Sequence, residues 1–208
     1  MVNGRPRWTC RTHVSRVASS GKLTIAPLRN LPVIKDLTVD MTNFFDKWAK
    51  AGGVFKPTAT RAEDFAAIRP TDSKRRHADA GIECIGCGIC YAACDVVAWK
   101  PGYLGPAALN RAWTLVNDAR DGNGAARLRA VAGDDGCLAC HSQQGCQEHC
   151  PKHLNPTAAI AGLKRAVAVA ALRTRWELGD HSALDALAAA VAAGEQDPYA
   201  AADALLGE

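Results

Sequence analysis

Between residues 5 and 27 apolar and polar positions alternate in two short runs, RPRWTCR and KLTIAP, with Leu23 and Ile25 on one side of the second. Ser19-Ser20-Gly21 separates them, so the pattern predicts two strands joined by a turn. Two strands alone are marginal, and this segment needs more sheet to stand on. After Asp40 the spacing becomes helical: MTNFFDKWAK predicts an amphipathic helix capped by that aspartate and ended by Gly52-Gly53. Residues 56–80 read as a connector rich in proline and charge, with Lys74-Arg75-Arg76 as solvated surface. Gly105-Pro106 opens a helix, PAALNRAWTLVNDARD, with proline at its first position and Leu109, Ala112, Trp113 and Val116 on one face. Gly122–Gly124 breaks it, and AARLRAVA predicts a short helix beyond. Asn155-Pro156 is a cap and first-turn signal for a helix from Thr157 to about Leu178. Alanine-rich stretches at residues 182–193 and 199–206 predict two weaker helices.

The chain has 208 residues, enough for one main domain with attachments. A net charge of +4, with aromatic residues that do not alternate with basic ones, does not point to nucleic acid. The longest apolar runs, near residues 166–172 and 186–193, fall far short of the eighteen residues a membrane helix needs. The first 35 residues hold seven Arg or Lys and no acid, but lack the amphipathic helix of an organelle transit peptide.

Cysteine changes the picture most. Eight of the nine fall in two runs, Cys84, Cys87, Cys90 and Cys94 in ECIGCGICYAAC, and Cys137, Cys140, Cys146 and Cys150 in CLACHSQQGCQEHCP. An odd count with CxxC spacing suits a metal site in a reducing compartment better than a disulfide framework. The first run has the C-x2-C-x2-C-x3-C spacing that wraps an iron–sulfur cube, its fourth cysteine serving a neighbouring cluster in two-cluster ferredoxins. Cys150-Pro151 offers the reciprocal ligand, so the runs are expected to interlock.

The second run is no copy of the first, since three residues beyond Cys140 stands Gln143. If Cys84, Cys87, Cys90 and Cys150 complete a [4Fe–4S] cube, Cys94, Cys140 and Cys146 remain, and three thiolates suit [3Fe–4S]. Cys137 is either a fourth ligand there or a small apolar thiol packed beneath. Zinc is a weaker alternative, because eight thiolates exceed the needs of one ion. Cys10, more than seventy residues from the next cysteine, reads as a buried core residue or as the last ligand of a further cluster.

On these blocks the chain resembles the iron–sulfur subunit of the succinate dehydrogenase/fumarate reductase family, from Met1 to about Arg165: VIKDLTVDMTNFF, CIGCGICYAAC, YLGPAALNRAW, NDARD and CHSQQGCQEHCPKHLNPTAAI. The resemblance implies a mainly α fold, an α-helical ferredoxin domain with two cubane-type clusters (residues 36–178). A remnant of a β-grasp, plant-type ferredoxin domain (1–35) precedes it, and a helical extension (179–208) follows. It assigns Cys84, Cys87, Cys90 and Cys150 to [4Fe–4S] and Cys94, Cys140 and Cys146 to [3Fe–4S], the split reached above. It makes Cys10 a [2Fe–2S] ligand only if the three missing thiolates are supplied, by a start upstream of Met1, by residues lost to truncation or by another polypeptide. Asp95 stands where the family has proline, and Cys137 is outside its pattern.

The function implied is electron relay in a succinate:quinone oxidoreductase. The partners would be an FAD-containing, dicarboxylate-binding flavoprotein and a membrane anchor with quinone, and the chain would lie peripherally on the cytoplasmic face of the inner membrane. The chain itself would carry no dicarboxylate site and no catalytic residue. Trp99 and His141 match quinone-side positions of the succinate dehydrogenase branch, whereas YAAC and PKH resemble the fumarate reductase branch. A soluble two-cluster ferredoxin and a cluster subunit of another flavin-linked oxidoreductase are the competing readings.

Overall fold

Helices make up the body of the computed structural model, which describes residues 1–18, 21–177, 186–187, 189–191, 193–197 and 200. In chain order they are α1 (Val14–Val17), α2 (Thr42–Lys50), α3 (Ser73–Ile82), α4 (Ile89–Ala92), α5 (Asp95–Trp99), α6 (Pro106–Val116), α7 (Gly124–Val131), α8 (Gly145–Glu148) and α9 (Pro156–Glu177). Among the described residues one sheet occurs, an antiparallel pair of β1 (Val33–Lys35) and β2 (Thr38–Val39). Met1–Val167 packs as one compact unit, and Ala168–Glu208 forms a second. Among the described residues no helix is long and apolar enough to cross a membrane.

The core of the first unit is built on α6, which packs against α2, α3, α4 and α7. Its fixed-φ proline starts the helix where an N–H would be unpaired in any case. Leu109 and Ala112, on the face expected from their spacing, are wholly buried, and Trp113 and Val116 pack partly buried at the edge. Small residues let neighbours close in: a methyl on Gly162 would fall 2.6 Å from the Trp113 ring. Gly105, at φ +88°, is required twice over, because a Cβ there would also stand 2.8 Å from the Tyr91 ring.

The mainly helical character expected from the sequence is what the structure has, with local differences. RPRWTCR is not a strand. Pro6 offers no N–H, and Thr9–Arg11 turns into a 3₁₀ helix whose bonds, Arg11 N–H to Trp8 O and Thr12 N–H to Thr9 O, are met locally. KLTIAP is extended and pairs with Met1–Asn3 instead, through Asn3 N–H to Thr24 O at 2.9 Å and Ala26 N–H to Met1 O at 3.0 Å. The β1–β2 hairpin turns at Asp36, whose φ of +50° an aspartate tolerates.

Helix α2 starts at Thr42 with Met41 at the cap, yet Asp40 still receives the Thr42 N–H at 2.8 Å. Within the expected connector lies α3, capped by Asp72, which accepts the Arg75 N–H at 3.0 Å. Its Lys74-Arg75-Arg76 run concealed a helix whose buried face is made by small residues, Ala78 and Gly81. Of residues 182–193 the described 186–187 and 189–191 are helical, and residues 199–206 lie outside the described residues except Ala200.

Candidate metal-cluster centres

The first cysteine run is laid out by a loop and a short helix. Cys84 follows the end of α3, Gly86 and Gly88 turn the chain with φ of +64° and +73°, and α4 carries Cys90. Cys94 then stands at the N-terminal boundary of α5. In the second run Cys137 opens a 3₁₀ turn that Cys140 closes, Cys146 lies in α8, and Cys150 follows it.

The thiols of the two runs mix in space. Cys84, Cys87, Cys90 and Cys150 line one cavity, walled further by Ala107 and Pro156. Cys94, Cys140 and Cys146 line a second, together with Asp95, His141, Tyr103 and Thr157. Among the described residues no three His, Cys, Asp or Glu side chains converge as on a single metal ion. The thiols are set instead around spaces.

Backbone N–H groups point at these sulfurs. Gly86 donates to Cys84, Ile89 to Cys87, Val96 and Val97 to Cys94, and Gln147 to Cys146. The Ser142 N–H reaches Cys140 Sγ at 3.4 Å. Such bonds favour the charged form of an acceptor. Burial nevertheless pushes the free thiols of Cys84, Cys87, Cys94 and Cys146 up from their ordinary pKa. Cys90 is pushed furthest, by burial first and then by Cys84, Cys146, Cys87 and Cys150 around it. Buried sulfurs that resist ionisation yet accept N–H bonds are suited to a centre whose positive charge removes the proton outright, and this donor set fits iron–sulfur clusters.

The remaining candidates separate. Cys137 is wholly buried in the apolar core and lines neither cavity. Cys10 is exposed and lines neither, so its reading as a buried core residue is corrected by the local 3₁₀ turn that presents it to solvent. His141 is exposed at the second cavity, whereas Trp99, at the end of α5, is 65% exposed and is not part of its wall. Tyr103 and Thr157 were not singled out by sequence; their only signal was membership of YLGPAAL and NPTAAI. A buried Lys47, with Nζ donating to Tyr91 Oη at 2.8 Å, also escaped it, since its position on an amphipathic helix reads as polar.

Comparison with known proteins adds independent findings. A model described as a 2Fe-2S iron-sulfur cluster binding domain matches residues 1–46, and one described as a 4Fe-4S dicluster domain matches residues 81–154. The fumarate reductase iron-sulfur subunit of Mycobacterium tuberculosis is 34% identical over 179 residues, covering 83% of this chain and 69% of that protein. A mitochondrial succinate dehydrogenase iron-sulfur subunit of Oryza sativa is 34% identical over 165 residues, covering 79% of this chain and 58% of the relative. The fumarate reductase iron-sulfur subunit of Haemophilus influenzae is 32% identical over 170 residues, 77% and 66% of the respective lengths. The chain thus spans about six-tenths of the rice relative and just under two-thirds of the Haemophilus one. Among solved structures, a chain of the Mycobacterium smegmatis Sdh1 complex in the apo form superposes with a TM-score of 0.69 at 26% identity, covering 80% of this chain and 70% of that one.

Proposed function

The chain belongs to the succinate dehydrogenase/fumarate reductase iron–sulfur subunit family, and from that premise we propose that it is the electron-conducting subunit of a succinate:quinone oxidoreductase. The observation that carries the reading is the crosswise sharing of thiols: Cys150 of the second run lines the cavity of the first, and Cys94 of the first lines the cavity of the second. Cys84, Cys87, Cys90 and Cys150 would hold a [4Fe–4S] cluster, and Cys94, Cys140 and Cys146 a [3Fe–4S] cluster. When bound, such clusters supply reversible one-electron transfer.

The residues around them do the rest. Backbone N–H groups stabilise the thiolates, and the apolar walls hold water away, which sets potential through burial and hydrogen bonding. His141, which lines the second cavity, would meet a quinone oxygen, and the exposed ring of Trp99, at the end of α5, would contribute to the quinone side. The partners are a flavoprotein that binds the dicarboxylate and a membrane anchor that binds quinone, with this chain peripheral on the cytoplasmic face of the inner membrane. Cys10 serves a [2Fe–2S] centre where three further thiolates are supplied.

Iron and acid-labile sulfide analysis of the anaerobically purified complex tests the ligand assignment, with EPR to count cluster types. About seven irons in the two cubane sites, with Cys150→Ala removing the four-iron signal, is the expected outcome. A Cys150→Ala variant that keeps the four-iron signal would reject the crossed ligation.

A further inference from the structure

Two hydroxyl-bearing side chains stand at the second thiol set, from different parts of the chain. Tyr103, 1% exposed, lines the second cavity together with Cys140. Thr157, in the first turn of α9, places Oγ1 at 3.4 Å from Cys146 Sγ. The bonds on Cys84 and Cys87 come instead from backbone N–H groups.

Both hydroxyls are held in place. The Tyr103 N–H is bonded to Lys100 O at 2.9 Å, and the next residue, Leu104, donates to Asp135 O at 2.8 Å, tying this loop to the chain just before Cys137. Thr157 follows Pro156 at the start of α9, where Asn155 Oδ1 accepts the Ala158 N–H at 2.8 Å. A thiolate has no proton to give, so each hydroxyl can only donate to it.

We propose that Tyr103 and Thr157 are positioning residues that raise the reduction potential of the cluster on Cys94, Cys140 and Cys146. This rests on the ligand reading given above. A hydrogen bond to a coordinating sulfur draws electron density from the centre and favours its reduced, more negative state. Two such donors at one of the two sets make that site the better electron acceptor, and electrons passed along the chain settle there, on the side where His141 opens to solvent.

The test is an EPR-monitored redox titration of the assembled complex carrying Tyr103→Phe, Thr157→Val, both together, or Thr157→Ser. Tyr103→Phe keeps the ring and removes the hydroxyl, and Thr157→Val keeps the shape. The midpoint potential of the second cluster is expected to fall in each of these two variants and further in the double. In Thr157→Ser it stays near the parent, and the first cluster does not move in any of them. A purely packing role predicts no shift for Tyr103→Phe. Both clusters present with an unmoved second midpoint in the two single variants, or equal shifts in both clusters, would overturn the proposal alone. A parent complex without a second cluster would overturn the ligand reading, and this inference with it.

Discussion

Arg127 grips Asp121 at two points, Nη1 to Oδ1 at 2.6 Å and Nη2 to Oδ2 at 3.1 Å, and neither side chain is exposed. The same guanidinium bonds Gly52 O through Nε at 2.7 Å and Val54 O through Nη2 at 3.0 Å. One side chain thereby fastens the loop after α2 to α7. Removing the cation strands a buried carboxylate and two carbonyls, and breaking a buried pair this way costs about 3–5 kcal/mol. Arg127→Leu is therefore expected to lower the denaturation midpoint strongly, as followed by circular dichroism. A loss below about 1 kcal/mol, the range of an exposed pair, would contradict the clamp.

The same pair gives the fold an acid-sensitive element. Burial alone would raise the Asp121 pKa, but the Arg127 hydrogen bond and the N–H groups of Lys56 and Asn123 outweigh it and hold the carboxyl below its usual range. A depressed folded pKa contributes stability that is fully present above the unfolded value, about 3.9 for aspartate, and is lost as pH falls through the folded one. Stability measured from pH 7 downward should hold to about pH 4 as far as this group is concerned, and then fall. In Asp121→Asn the acid limb should be flatter and the stability at pH 7 lower. An acid limb of unchanged slope would assign the effect elsewhere.

Gly145 marks the point where the two cysteine runs touch. An ideal Cβ on it would lie 2.8 Å from Ala93 O, a backbone atom that cannot rotate away, with Cys94 and Cys146 the next residues on each side. Gly145→Ala should push the runs apart at the second cavity and leave the first less disturbed. The expected result is iron falling from about seven toward about four per chain in the cubane sites, with some overpacking cost of about 1–3 kcal/mol. Full iron content in this variant would mean that the contact is soft.

The distribution of thiols was legible in the sequence because spacing within each run is a local property, and a cysteine followed by proline is a strong local signal. Helices α2 and α6 were legible through apolar period and through punctuation at Asp40 and Gly105-Pro106, and α9 through the Asn155-Pro156 signal. Helix α3 was not, since its buried positions are Ala78 and Gly81, which carry little hydrophobic contrast against Lys74-Arg75-Arg76. The strand expected at RPRWTCR failed because pairing partners are a tertiary property: KLTIAP found Met1–Asn3 nearer at hand. Tyr103 and Thr157 could not be read as sulfur neighbours for the same reason. Each stands at the second cavity on a segment whose own pattern reports only a helix beginning.

Cys137 is the thiol on which sequence and structure can be set against one experiment. By spacing it stands three residues before Cys140, close enough to act as a fourth donor. By packing it is wholly buried, its neighbours belong to the apolar core, and it is absent from the wall of the second cavity that Cys140 lines. A core thiol behaves as a small hydrophobe, and its removal resembles deleting one methylene-sized group, about 1 kcal/mol. Cys137→Ala is thus expected to keep its full iron content and the EPR signal of an oxidised three-iron cluster, with only a modest fall in thermal stability. Cys140→Ala, by contrast, should lose that signal. If Cys137 were a ligand, the parent would carry a four-iron cluster at the second site, and Cys137→Ala would convert it to three irons or lose it. Iron counts on the parent and the two variants separate these cases without any measurement of activity.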